Sequence, residues 1–129
     1  MLFRSCVTGD RLESGLDAFN MLSAIAGAAG DMRLVTSVLV LPPRGILVSA
    51  KQFAALDVLS GGRVIAGVGT GSMFRDYDVV GMNADDMWPR FEEGVKAMRA
   101  YLTPGAPPDR KSTRLNSSHM SESRMPSSA

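Results

Sequence analysis

Cysteine, histidine and aromatic residues are scarce in this chain, with one Cys, one His and 6% Phe, Trp and Tyr among 129 residues. The single cysteine, Cys6, excludes an intrachain disulfide and a cysteine-based metal cluster, and it fits a reducing compartment. No apolar run approaches the roughly 18 residues that would suggest a membrane span, and MLFRS is too short to head a secretory signal. The expectation is a soluble, cytoplasmic protein without a membrane partner. A formal charge of only +1 gives no electrostatic reason to expect a nucleic-acid partner.

What the chain does have is unevenly spread. From about Leu12 to Leu102 it is apolar, periodic and rich in Gly, Ala, Val and Leu; after Pro104 it turns to Pro, Ser, Arg and Asn. A segment with so little to bury cannot offset its ordering entropy, so a disordered tail is expected. DRKSTRLNSSH, Asp109 to His119, gathers Arg110, Lys111, Arg114 and the sole histidine, and at first suggests a basic arm.

That stretch resembles translated nucleotide sequence. The common short-read sequencing adapter, read from its second base, encodes DRKSTRLNSSH, and its later part in the same frame encodes SRMPSSA, Ser123 to Ala129. Its reverse complement, opened by a GTG start, encodes MLFRS. Residues 1–5 and 109–129 are therefore expected to be adapter-derived, and residues 6–108 to be an internal piece of a longer protein. Without those ends the chain loses Arg4, Arg110, Lys111, Arg114 and Arg124 against Asp109 and Glu122, so the net charge moves from +1 to −2. His119 then ceases to be a catalytic candidate.

Within the remaining segment, FNMLSAIAGAA (Phe19 to Ala29) places Phe19, Leu22, Ala26 and Ala29 at helical spacing, closed by Gly30 and Asp31. MRLVTSVLVLP follows as a nearly continuous aliphatic run, the pattern of a strand covered on both faces in a parallel sheet. A second helix is expected over Ile46 to Leu59, with Ile46, Ala50, Phe53 and Ala54 on one face and Ser60–Gly62 as its stop. RVIAGVGTG, from Arg63, reads as a second buried strand entering a glycine loop, and MFRDYD as a polar loop. The last helix should be capped by Asp85 or Asp86, with Pro89 in its first turn and a stripe of Trp88, Phe91, Val95, Met98 and Leu102. The order α-β-α-β-α with two parallel strands gives an α/β fold, either a doubly wound sheet or part of a (β/α)8 barrel. A complete barrel needs roughly 250 residues, so this length would hold about two and a half of its eight units.

Three features carry possible chemistry. GVGTGS, Gly67 to Ser72, follows a buried strand, where backbone N–H groups can approach a phosphate or cofactor; the plain alternative is a tight turn. The Rossmann dinucleotide fingerprint fits poorly, because it requires glycine where Ser72 stands. Thr36 and Ser37 interrupt an aliphatic strand, and their hydroxyls either bond neighbouring carbonyls or form a cofactor face. Asp57 falls on the core-facing side of its helix, with Arg63 as the expected partner. Asp85 with Asp86, and Glu92 with Glu93, read as a cap and a solvated face, so no metal site is expected. Arg44, Arg75 and Tyr77 lie after strands and could meet a phosphate or substrate.

Together, RLVTSVLVLPPRGILVSAKQFAALDVLSGGRVIAGVGTG resembles the bacterial luciferase-like monooxygenase family of flavin- and deazaflavin-dependent oxidoreductases. The specific part is the order of strand, prolines, helix, LDVLSGGR, strand and GVGTG, and WPRFEEGVKAMRAYL is similar as well. The resemblance implies a TIM-like barrel that binds FMN, or alternatively a deazaflavin coenzyme, at the C-terminal ends of its strands, and acts on a small-molecule substrate. It implies that Thr36, Ser37 and Val38 lie against the flavin ring, with a non-proline cis peptide joining Ser37 to Val38. It likewise places Gly67, Gly69, Thr70 and Gly71 near the reactive edge and the phosphate. The light-emitting members carry cysteine at the place of Gly69, so bioluminescence is not expected. The family's catalytic histidine and later strands are expected to be missing, which leaves the catalytic residues unassigned. A homo-oligomeric parent is left open. The alternatives from other classes are a non-functional translated fragment and a Rossmann-type nucleotide-binding module.

Overall fold

In a computed structural model of the chain, residues 5–12, 15–72 and 74–103 are described. The adapter-like segments, Ser5 excepted, lie outside them. The elements are β1 (Ser5–Thr8), α1 (Ala18–Ala26), β2 (Arg33–Thr36), β3 (Leu39–Val40), α2 (Ile46–Ser60), β4 (Val64–Ile65), β5 (Val68–Gly69), α3 (Arg75–Asp78) and α4 (Met87–Leu102). All strand pairs are parallel: β1 with β2, β2 with β4, and β3 with β5. The parallel α/β reading therefore holds. Both expected strands are present, each in two short pieces, and β1 is a third that the sequence did not announce.

The pieces are not collinear in register. Val35 stands opposite Ile65, but Leu39 stands opposite Val68. Residues 36–38 thus face only residues 66 and 67, one extra residue on one side of the ladder. Such a bulge unpairs backbone and re-aims side chains. The Ser37–Val38 peptide within it is cis, as the resemblance implied.

The helices pack where their small and apolar residues fall. Phe19, Leu22, Ala26 and Ala29 are all buried, and the Phe19 ring meets Phe53 of α2 edge to face, with centroids 4.8 Å apart. α2 stops at Gly61, whose φ of +67° is left-handed and whose N–H reaches back to the α2 carbonyls of Asp57 and Val58. On α4 the buried face is Gly94, Ala97 and Met98, with Phe91 and Val95 half-buried beside it. Trp88, expected in the buried stripe, is 59% exposed, and Leu102 is also exposed. The reason is Gly94: a Cβ there would sit 3.2 Å from the Leu41 side chain and 3.3 Å from that of Ile46. The helix docks on its smallest residue, and that rotates the larger ones at its two ends outward.

Three further expectations are corrected. Asp57 is exposed and accepts from the Val64 N–H at 3.3 Å instead of pairing with Arg63. The Arg63 guanidinium donates instead to the carbonyls of Ala26 (2.6 Å), Ser60 (2.6 Å) and Met32 (3.0 Å), fastening α1 and α2 to the strand between them. The MFRDYD loop contains the one-turn helix α3, with Asp76 and Tyr77 buried. Ala54, expected on the buried face of α2, is exposed, and Leu56 is buried instead.

Candidate functional site

A cavity of about 710 Å³ opens at the C-terminal ends of the strands. One wall is the segment after β1, including Gly9, Asp10 and Arg11; the floor is the bulge with Ser37 and Val38; the opposite wall is Gly69 to Ser72, with Asp76 behind it. Of the residues singled out in the sequence, Ser37, Val38, Gly69, Thr70 and Gly71 meet here.

Thr36 and Gly67 do not line it. Thr36 is buried, and its hydroxyl both donates to the Gly67 carbonyl (2.8 Å) and accepts from the Gly67 N–H (3.0 Å). The two hydroxyl residues of the bulge thus divide the alternatives posed by the sequence: the Thr36 hydroxyl is spent on the ladder, while Ser37 is exposed toward the cavity. The Ser37 N–H bonds Thr8 of β1 at 2.7 Å, and the Leu39 N–H bonds Gly67 at 2.8 Å. Backbone bonds on either side fix the Ser37–Val38 floor.

The opposite wall is held by Tyr77. Its hydroxyl donates to the Thr70 carbonyl at 2.6 Å, and the ring is buried, so it braces the glycine loop and does not meet a ligand. Burial, with a smaller contribution from Asp76, raises the Tyr77 hydroxyl above its ordinary range. Gly71 has φ +76°, a conformation that favours glycine.

Arg44 is a structural cation as well. Its Nε and Nη2 each donate to the buried Asp10 carboxylate at 2.6 Å, and its Nη1 pairs with Asp17 at 2.8 Å. Burial opposes its charge, but the two carboxylates outweigh burial and hold its pKa above the usual range. Asp17 caps α1, accepting from the Asn20 N–H at 2.9 Å. Burial would raise the Asp17 carboxyl, but the Asn20 N–H and Arg44 outweigh it and leave it lowered. Asp10 and Asp76 went unnoticed in the sequence, because each acts through a partner far along the chain. The one available signal was a pair of acids that the fold buries.

The cavity fits a flat heteroaromatic cofactor. Its volume falls in the range of roughly 300–1,000 Å³ typical of small-molecule sites. Val38 is 38% exposed on the floor, offering an apolar face, with hydroxyls at Ser37, Thr70 and Ser72 around it. Gly69 and Gly71 leave the loop without side-chain bulk toward Val38 and Val40: a Cβ at Gly69 would lie 2.9 Å from Val38 Cγ2. Among the described residues no cluster of His, Cys, Asp and Glu could hold a metal ion, and no helix is long and apolar enough to cross a membrane.

Comparison with known proteins gives the same direction. A family model described as luciferase-like monooxygenase matches residues 3–124, a span that enters both adapter-like ends. An uncharacterized protein of Mycobacterium bovis and counterparts in two Mycobacterium tuberculosis strains are 31% identical over 88 residues, 68% of this chain. The chain spans 31% of the length of those relatives. Among solved structures, monooxygenase RslO1 from Streptomyces bottropensis superposes with a TM-score of 0.71 at 27% identity, over 75% of this chain and 31% of that one. The oxygenating constituent of 3,6-diketocamphane monooxygenase from the CAM plasmid of Pseudomonas putida, a type II Baeyer-Villiger monooxygenase in complex with FMN, superposes with a TM-score of 0.65. At 16% identity, over 74% of this chain and 29% of that one, it supports the fold.

Proposed function

This chain belongs to the luciferase-like monooxygenase family, and on that premise we propose that its protein is a flavin-dependent oxidoreductase that binds FMN and oxygenates a small organic substrate. The observation that carries the reading is the meeting of Ser37, Val38, Gly69, Thr70 and Gly71 on one cavity at the C-terminal ends of parallel strands. Active sites of barrels of this kind stand at that end. The solved diketocamphane monooxygenase constituent carries FMN, which supports FMN over other flavins.

Val38 and the backbone of the bulge would support the ring, and Gly69 to Ser72 would flank it. Bound reduced flavin supplies the electrons for oxygen activation, while the protein orients and shields the reactants. In this chain the Thr36–Gly67 bonds and the Tyr77–Thr70 bond keep floor and wall in place, so the cavity exists before a ligand enters. That preorganisation lowers the cost of binding.

The test is to purify the full-length protein and titrate FMN by quenching of flavin fluorescence, with a deazaflavin in parallel. Saturable FMN binding, weakened when Val38 is replaced by Asp, is expected. Binding of the deazaflavin alone would move the protein to the other branch of the family. Failure to bind either would overturn the proposal.

A further inference from the structure

We propose that Arg11 is the cavity's anion-recognising residue, presented by a backbone that Arg44 and Asp76 hold on either side of it. The residue before it, Asp10, has a fully buried side chain gripped by the Arg44 fork, with two bonds of 2.6 Å. The residue after it, Leu12, donates its N–H to Asp76 Oδ1 at 3.1 Å. Arg44 follows β3 and Asp76 belongs to α3, so the same three residues are fastened to two different parts of the fold. Arg11 stands between the fastened points, exposed and lining the cavity. Among the described residues its side chain makes no ion pair or hydrogen bond.

Two carboxylates line the same cavity and would be the natural partners of an arginine. Asp10 is already engaged through both oxygens by Arg44, and Asp76 is buried and bonded to Leu12. Among the described residues, no carboxylate of the cavity is therefore left to claim the guanidinium, which is presented to a ligand. Its planar fork matches an oxyanion, a carboxylate or a phosphate, in bidentate geometry. That oxyanion belongs either to the organic substrate or to the cofactor. The proposal concerns charge, not the ring, and does not rest on the flavin reading.

The experiment compares probes that differ by one charged group, FMN against riboflavin and 2-naphthoate against 2-naphthamide, titrated into the full chain at low ionic strength. In one pair the anion should bind about tenfold more tightly than its neutral partner, the scale of one charge-assisted hydrogen bond. Arg11→Gln should abolish that preference and leave the neutral probe unchanged, and Arg11→Lys should keep part of it. Whichever pair shows the effect identifies the source of the oxyanion. Absence of a preference in both pairs, or its survival in Arg11→Gln, would overturn the proposal. Loss of riboflavin and FMN binding with an intact naphthoate preference would overturn the flavin reading alone.

The positioning role has its own arm, with a sign that simple electrostatics opposes. Deleting a carboxylate near the site should strengthen anion binding, and Asp76→Asn, which keeps an acceptor for Leu12, should do so. Asp76→Ala deletes the charge and the acceptor together, and if the grip matters it should weaken anion binding instead. A gain in Asp76→Ala would remove Asp76 from this role.

Discussion

Arg44 reaches back across the fold to grip Asp10 with two bonds of 2.6 Å, and with its remaining nitrogen it takes Asp17 at 2.8 Å. One side chain thereby ties the turn after β3 to both ends of the β1–α1 connection. Breaking such a pair leaves a buried carboxylate without compensation, which costs about 3–5 kcal/mol. Arg44→Met should therefore lower the urea midpoint sharply. Arg44→Lys should recover little, because a point charge cannot replace the fork. Adding Asp10→Asn to Arg44→Met should restore part of the loss, since the uncompensated charge is then gone. An additive double variant would show that the two residues do not act as a unit.

The capping carboxylate gives the acid side of the stability profile. The Asp17 carboxyl is lowered in the fold relative to its ordinary value of 3.8. Its contribution is thus fully present above the unfolded value and disappears as pH falls through the folded one. Stability followed by thermal unfolding should decline below about pH 4 with a part that depends on Asp17. Asp17→Ala should cost about 1 kcal/mol at neutral pH, as expected for a lost N-cap. The gap between variant and parent should close toward pH 2.

Tyr77 sets the alkaline side. Its hydroxyl is raised above the ordinary value of 10.0, so the unfolded chain loses this proton first. The stability it contributes is complete below about pH 10 and is lost as pH rises through the folded value. Tyr77→Phe removes the 2.6 Å bond to the Thr70 carbonyl and should cost about 1 kcal/mol at neutral pH. The variant should show a flatter decline above pH 10 than the parent. An identical alkaline limb would mean that other groups govern it.

The legible parts of this fold were those specified by neighbours in the chain. α2 ends within a residue of its expected stop because Ser60 to Gly62 supply the left-handed cap locally. The first helix buries Phe19, Leu22 and Ala26 as their spacing announces, although it closes at Gly27 and not at the expected Gly30. The illegible parts depend on distant partners. β1 is four residues long and gains its identity only from pairing with β2. α3 is a single turn, and its buried Tyr77 is anchored by Thr70, outside the helix. Arg44 read as a ligand-facing cation because Asp10 lies thirty-four residues away, and Arg63 read as the partner of Asp57 although three carbonyls claim it. For the site, sequence pattern located floor and loop but could not tell lining residues from supporting ones. That distinction hangs on the bulge, where a shift of one residue decides which hydroxyl faces the cavity.

The glycines of the loop separate the two roles experimentally. A Cβ at Gly67 would collide with the Thr36 carbonyl oxygen, which is backbone fixed by the ladder. At Gly69 the nearest atom, at 2.9 Å, is a methyl of Val38, and a side chain can turn where a carbonyl cannot. Gly67→Ala should therefore force the strands apart and lower the melting temperature severely. Gly69→Ala should leave the fold largely intact while pushing Val38 into the cavity. Flavin titration of the folded Gly69→Ala protein should then show weakened binding, with Gly69→Ser weaker still as the added hydroxyl crowds the same space. Equal stability of Gly67→Ala and Gly69→Ala in a thermal melt would contradict the assignment of Gly67 to the support and Gly69 to the lining.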